Sequence, residues 1–189
     1  VPLTYAAFGT FVTARSFNKL VLSNTHLTDA ILPKLGAIHC LVHGAGQFTD
    51  AGAESMRQLQ CNHLGLQGPQ FTGTCLDKLP VNSGSLDLSG SGITDENLRR
   101  LQERGISYLF DLDLSDTKIT DRGLKALEGQ TIDHLNLSGT LITAIGLAKC
   151  RLKAECIIYL EFNQFSPDEL RQLHEYKNIV IGERFPDSY

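Results

Sequence analysis

The chain has 189 residues, of which 42% are hydrophobic and 20% charged, so it has ample apolar surface to bury and is neither a disordered tract nor a linker array. Its formal net charge of −4 argues against a nucleic acid or an anionic membrane surface as the main partner. No apolar run exceeds about five residues, far below the ~20 that a membrane-spanning helix needs.

Taken in chain order, the predicted elements repeat. Leu3-Thr4 sits 24 residues before Leu27-Thr28, and Phe8 and Phe11 fall where Leu32 and Leu35 fall. The chain opens on Val1 in mid-repeat, so residues 1–17 read either as a half-repeat cap or as the remainder of a trimmed copy. The first full copy runs from Leu20 to Asp29, followed by weaker copies at Leu41 to Asp50 and Leu64 to Thr72. The clearest three begin at Leu86, Leu112 and Leu135, and a further one runs from Ile158 to Ser166. A hydroxyl residue anchors the count at Thr28, Thr49, Thr72, Thr94, Thr120, Thr143 and Ser166, in steps of 21, 23, 22, 26, 23 and 23 residues. The expected organisation is one domain over 1–189: about seven repeats in 18–174, then a final strand at Ile179–Ile181 and a polar tail within 175–189.

Each copy has the same physical content. Leu-x-Leu alternates apolar and polar residues, which is the period of a strand with one buried face. A turn rich in Gly, Ser and Asn follows, and the Thr or Ser is then expected to cap a helix with its hydroxyl. Asp29, Asp50, Asp95 and Asp121 come next and suit the positive helix start. Ser166-Pro-Asp-Glu169 is the fullest version, with Pro at the first helical position and Glu three residues after the cap. Apolar pairs at helical spacing follow: Leu98 and Leu101, Leu124 and Leu127, Leu170 and Leu173.

This pattern resembles the leucine-rich repeat family over nearly the whole chain. The resemblance rests on the Leu-x-Leu strands, the small polar residues Thr25, Ser91, Thr117 and Thr140, and the Ile-Thr-Asp with its downstream Leu. Among subclasses it is similar to the strand-plus-α-helix type: cysteine-containing and ribonuclease-inhibitor-like repeats, and bacterial repeats reading Leu-Ser-Gly-Thr-x-Ile-Thr-Asp. It departs from the cysteine-containing group, whose ladder position is often Cys. Here that position holds Thr, Ser, Gly46, Pro69 or Asn163, and a hydroxyl is expected to bond the backbone instead. The resemblance implies an α/β fold, a right-handed solenoid with a curved parallel sheet on the concave side and α-helices on the convex side.

In such a stack the residues flanking the two leucines lie on the concave face. The residue between them runs Val21, Val42, Gly65, Asp87, Asp113, Asn136, Tyr159, and the one before runs Lys19, Cys40, His63, Ser85, Asp111, His134, Ile157. Asp87 and Asp113 should then face each other about 4.8 Å apart and repel unless a cation or a basic group sits between them. The candidate binding residues are Asp87, Asp111, Asp113, His134, Asn136, Tyr159 and Glu161.

Other chemistry reads as unsupported. Six histidines and five cysteines show no metal spacing, and the odd cysteine count fits free thiols in a reducing, cytoplasmic compartment better than a disulfide framework. Gly44-x-Gly46 after a strand lacks the third glycine of a dinucleotide loop. No Ser or Cys has a positioned base, so no catalytic residue, cofactor or metal is expected. The expected function is a non-catalytic scaffold that binds a protein partner of basic character on its concave face. The alternative is the substrate-recognition arm of a larger enzyme or adaptor, of ubiquitin-ligase-adaptor or bacterial-effector type.

Overall fold

The computed structural model describes residues 17–22, 28–35, 38–43, 49–52, 55, 61–74, 76, 84–106, 108–153, 155–161, 163–173 and 179–182. Of the half-repeat expected over residues 1–17, residues 1–16 lie outside the described residues and Phe17 opens the first strand; the Gly44-x-Gly46 loop and the tail beyond Gly182 also lie outside them. Eight strands follow one another: β1 (Phe17–Val21), β2 (Ile38–His43), β3 (His63–Leu66), β4 (Ser85–Asp87), β5 (Tyr108–Asp113), β6 (Thr131–Asn136), β7 (Ile157–Leu160) and β8 (Ile179–Ile181). They form one open sheet in the order β1-β2-β3-β4-β5-β6-β7-β8, every pair parallel. Parallel neighbours need a crossover between them, and the described residues supply a 3₁₀ segment after β1 and after β2 and an α-helix after each of β4, β5, β6 and β7. The fold is therefore α/β.

The repeat count and the strand register agree residue by residue. Leu20, Leu41, Leu64, Leu86, Leu112, Leu135, Ile158 and Ile179 pair in one continuous row across the sheet. One sheet face is the core: Leu64, Leu86, Leu112 and Leu135 are buried, as are Leu66, Leu88, Leu114, Leu137 and Leu160 two residues on. Against it pack Leu98 and Leu101 of α1 (Asp95–Glu103), Leu124 of α2 (Asp121–Lys125) and Leu127 just beyond it, Leu147 of α3 (Ala144–Lys149) and Leu173 of α4 (Pro167–Leu173). An all-α set of connections is corrected in the first copy, where Asp29–Lys34 is a 3₁₀ helix. Pro33 lies inside it, and a proline there lacks the N–H that an α-helical ladder would use. Asp50–Gly52 is likewise a 3₁₀ turn.

The turns explain their own composition. Gly90, Asp116 and Gly139 hold equivalent places, two residues after the second leucine, at φ of 62°, 55° and 66°. This left-handed region favours glycine, and Asp is among the few other residues that enter it. The hydroxyl ladder is realised at Thr117 and Thr140, whose Oγ1 atoms donate to the carbonyls of Leu114 and Leu137 at 2.6 Å each. At Ser91 the expectation fails: its Oγ is buried without a partner.

The Thr-Asp pair does more than cap a helix. Asp29 accepts from the backbone N–H and the hydroxyl of Thr49 in the next copy, at 2.8 and 2.7 Å. Asp50 does the same for Thr72, Asp95 for Thr120 and Asp121 for Thr143. In three of these four ties the third residue after the receiving Thr is glycine, at Gly52, Gly123 and Gly146, which leaves room for the carboxylate; after Thr72 that place holds Cys75. A Cβ on Gly52 or Gly123 would stand 2.5 Å from the carboxylate oxygen of Asp29 or Asp95. Where the preceding copy carries Gly73 or Ala144 in place of Asp, the bond is made within the turn. Thr94 donates its N–H and hydroxyl to Asn97 at 2.7 and 2.6 Å, and Ser166 donates its own to Glu169 at 2.9 and 2.7 Å.

Candidate functional site

The sheet face opposite the leucines carries the sequence-derived candidates, and the register groups them in two rows. Gly65, Asp87, Asp113, Asn136 and Tyr159 pair in succession, and beside them Ser85, Asp111, His134 and Ile157. Asp87 and Asp113 do face each other across one strand spacing. Glu161 stands just past the end of β7 and is exposed.

Neutral donors hold both carboxylates within the chain. Asp87 accepts from the Ser89 N–H at 2.9 Å and from the side-chain amide of Gln67. Asp113 accepts from the N–H and hydroxyl of Ser115 at 2.8 and 2.6 Å and from Asn136 Nδ2 at 3.0 Å. Asn136 Oδ1 accepts from the Ser138 N–H at 3.1 Å, so the same turn recurs in three successive copies. Asp111 accepts from the Ser85 hydroxyl at 2.9 Å.

These bonds change the character of the face. Asp87 and Asp111 are only 6% and 3% exposed, and Asn136 and Tyr159 are also buried, so the row is no freely solvated strip of acid. Burial, more than the neighbouring Asp87 charge, pushes the Asp113 carboxyl above its ordinary value, while the Ser115 and Asn136 bonds pull it back down. His134 is half-buried, with its Nδ1 3.2 Å from the Tyr159 hydroxyl and its ring stacked on Tyr159 at 6.0 Å between centroids.

Two residues that the repeat frame passed over stand at the same edge: Tyr108 and Phe110 are 50% and 45% exposed. Phe110 tilts against His134 at 5.4 Å, and the Tyr108 hydroxyl donates to Asp133 at 2.9 Å. The Leu-x-Leu frame starts at Leu112 and does not reach them. The available signal was Leu109, three residues before Leu112 rather than two. That spacing fits a bulge, at which the N–H groups of Phe110 and Asp111 both point to the Gly84 carbonyl.

On the N-terminal half Val21 is exposed, and Cys40 and Val42 lie in register beside Lys19 and Val21. Among the described residues no group of three or more His, Cys, Asp or Glu is placed to hold a metal ion, and no helix is long and apolar enough to cross a membrane. Among the described residues Cys150 and Cys156 are free thiols, and the buried Cys61 thiol donates to the His63 carbonyl at 2.7 Å. Burial, the leading cause at both, pushes the Cys150 and Cys156 thiols up to about 11 and about 12, so neither is an activated nucleophile.

The copy that holds Tyr108, Asp111 and Asp113 is the one with a family match: residues 107–127 match the model described as Leucine Rich repeat. That stretch is similar to a leucine-rich repeat. No curated protein matches the chain. Leucine-rich repeat domains generally mediate protein–protein interaction, through surfaces that extend across adjacent copies.

Proposed function

We propose that the chain is a non-catalytic protein-interaction module, a right-handed leucine-rich repeat solenoid that receives a protein partner on a concave strand face. The observation that carries this reading is the uninterrupted parallel register, which lines up Asp87, Asp113, Asn136 and Tyr159 from four consecutive copies on the face away from the core. Side chains held by their own turns are already ordered, so a partner that reaches the half-buried Asp113 and the exposed Glu161 spends little on ordering the row around them. The acids of the second half favour a partner with basic groups.

The test is quantitative capture from source-cell lysate with an Asp113→Lys, Glu161→Lys variant on the strand face and an Arg122→Glu, Lys125→Glu variant on the helix side, both checked for native circular dichroism. Loss with the strand-face pair and retention with the helix pair supports the proposal. The reverse pattern moves the binding surface to the helices and overturns it.

A further inference from the structure

The outer edge of β5 and β6 carries a combination of groups that the acidic row does not explain. Phe110 and Asp133 are enclosed between the register pairs Leu109 with Ile132 and Asp111 with His134, so an exposed ring and a carboxylate sit side by side on adjacent strands. Phe110 has nearly half its surface open, on a side chain that folding would ordinarily bury. His134 supports the ring from one side and is itself stacked on Tyr159, so the platform is backed rather than loose.

Two acids lie at this edge, and the Lys153 ammonium stands near them, donating to the hydroxyl of Thr131, the register partner of Tyr108. Asp133 accepts from the Tyr108 hydroxyl and Asp111 from the Ser85 hydroxyl; both donors are neutral, and among the described residues neither acid has an ion pair. The hydrogen bond to Asp133 chiefly, then desolvation and the charges of Asp133 and Asp111, push the Tyr108 hydroxyl above its ordinary value, as a locally negative field should.

Resting on the strand-face reading above, we infer that the Phe110–Asp133 edge is an arginine subsite: it takes the guanidinium of a partner protein, stacked on Phe110 and bonded to Asp133. A guanidinium suits the edge because it is planar and weakly hydrated. It offers a face to an aromatic ring and a fork of N–H donors to a carboxylate at the same time, whereas an ammonium does only the second well. Anions are repelled by Asp111 and Asp133, and a metal ion has too few ligands here.

The probe is the peptide acetyl-(Gly-Arg)3-amide, titrated into the isotope-labelled full chain and followed by NMR at the Phe110, Tyr108 and His134 rings. Peptides with lysine or citrulline in place of arginine serve as comparisons. The expected result is shift changes confined to these rings, weaker binding by about three-fold for lysine and none for citrulline. Phe110→Leu keeps an apolar side chain without the ring and should weaken arginine binding about three-fold while abolishing the preference over lysine. Asp133→Asn should weaken both peptides. Shifts scattered over the surface, or an arginine preference that survives Phe110→Leu, overturn the subsite. If these rings stay silent while the strand-face variant still loses its partner, the subsite alone falls. If the rings respond but the strand-face variant keeps its partner, the subsite stands and the broader reading fails.

Discussion

Two kinds of junction connect consecutive copies in this chain, and they solve one problem in opposite ways. Between Asp95 and Thr120, and again between Asp121 and Thr143, the acceptor comes from the copy before. At Thr94 and Ser166 it comes from the same turn, from Asn97 and Glu169. The bonds delivered are alike, an N–H and a hydroxyl onto one side chain. What differs is whether they tie one copy to the next. At these two junctions the carboxylate reaching across occupies space in the receiving turn, which carries Gly123 or Gly146 where the self-contained turns carry Asn97 or Glu169.

The largest effect should come from a position both kinds of junction share. Leu114 is fully buried in the common core, and Leu114→Asp would leave an unpaired charge there. It should cost about 4 kcal/mol or more and abolish a cooperative urea transition. A folded, soluble Leu114→Asp protein would contradict the stacked core.

The comparison itself is broken or upheld by a double-mutant cycle. Asp95→Ala removes a charged acceptor of two bonds and should cost about 2 kcal/mol. Gly123→Asn should cost a similar amount while Asp95 is present, because its Cβ meets the Asp95 carboxylate at 2.5 Å and the Ile119 methyl at 2.7 Å, and Asp95→Ala relieves the first of these contacts. Together they convert the junction to the self-contained kind, with the introduced amide placed as that of Asn97 is. The pair should therefore cost less than the sum, the Ile119 contact remaining, with a coupling of about 1 kcal/mol measurable in urea melts. Additive costs would show that the two junctions are unrelated.

Thr120→Ala should be milder, at about 1 kcal/mol, since the backbone N–H to Asp95 survives while the hydroxyl bond and the 3.3 Å bond from the Arg122 N–H are lost. An unchanged midpoint and slope would mean that the hydroxyl adds nothing to the tie.

The smallest effect separates the two self-contained turns from each other. Ser166's hydroxyl and N–H hold the Glu169 carboxyl below its ordinary value, so its contribution is present above about 4.5 and is lost as pH falls through the depressed folded value. Asn97 has no proton to gain. In an NMR pH titration the Ser166 N–H should follow Glu169, while the Thr94 N–H should show no matching step. A Ser166 N–H that ignores Glu169 would remove that bond from the turn.

The strand register was legible because strand periodicity is local: Leu-x-Leu states which side chains turn inward, and a slip of one residue would expose every leucine. The row from Asp87 to Tyr159 was therefore readable residue by residue. The fate of its side chains was not. That Asp87 and Asp113 would be bound by Gln67, Ser89, Ser115 and Asn136 depends on which neighbours the stack brings within reach. Thr120 was legible as a cap, but not as a donor to Asp95, although the Thr-Asp-x-Gly spacing carried the clue. Phe110 and Tyr108 were missed because a bulge, set by the Gly84 carbonyl one strand away, carries β5 past its repeat frame.

What the sequence determined alone is the period, the buried row and the order of the parallel strands, since these follow from covalent spacing and apolar alternation. What only the tertiary structure decided is which polar groups meet across copies. Residues 20 to 26 apart in the chain become hydrogen-bonded neighbours only once the copies stack, and that geometry turns a helix-start aspartate into a tie and an acidic row into a largely buried, hydrogen-bonded lattice.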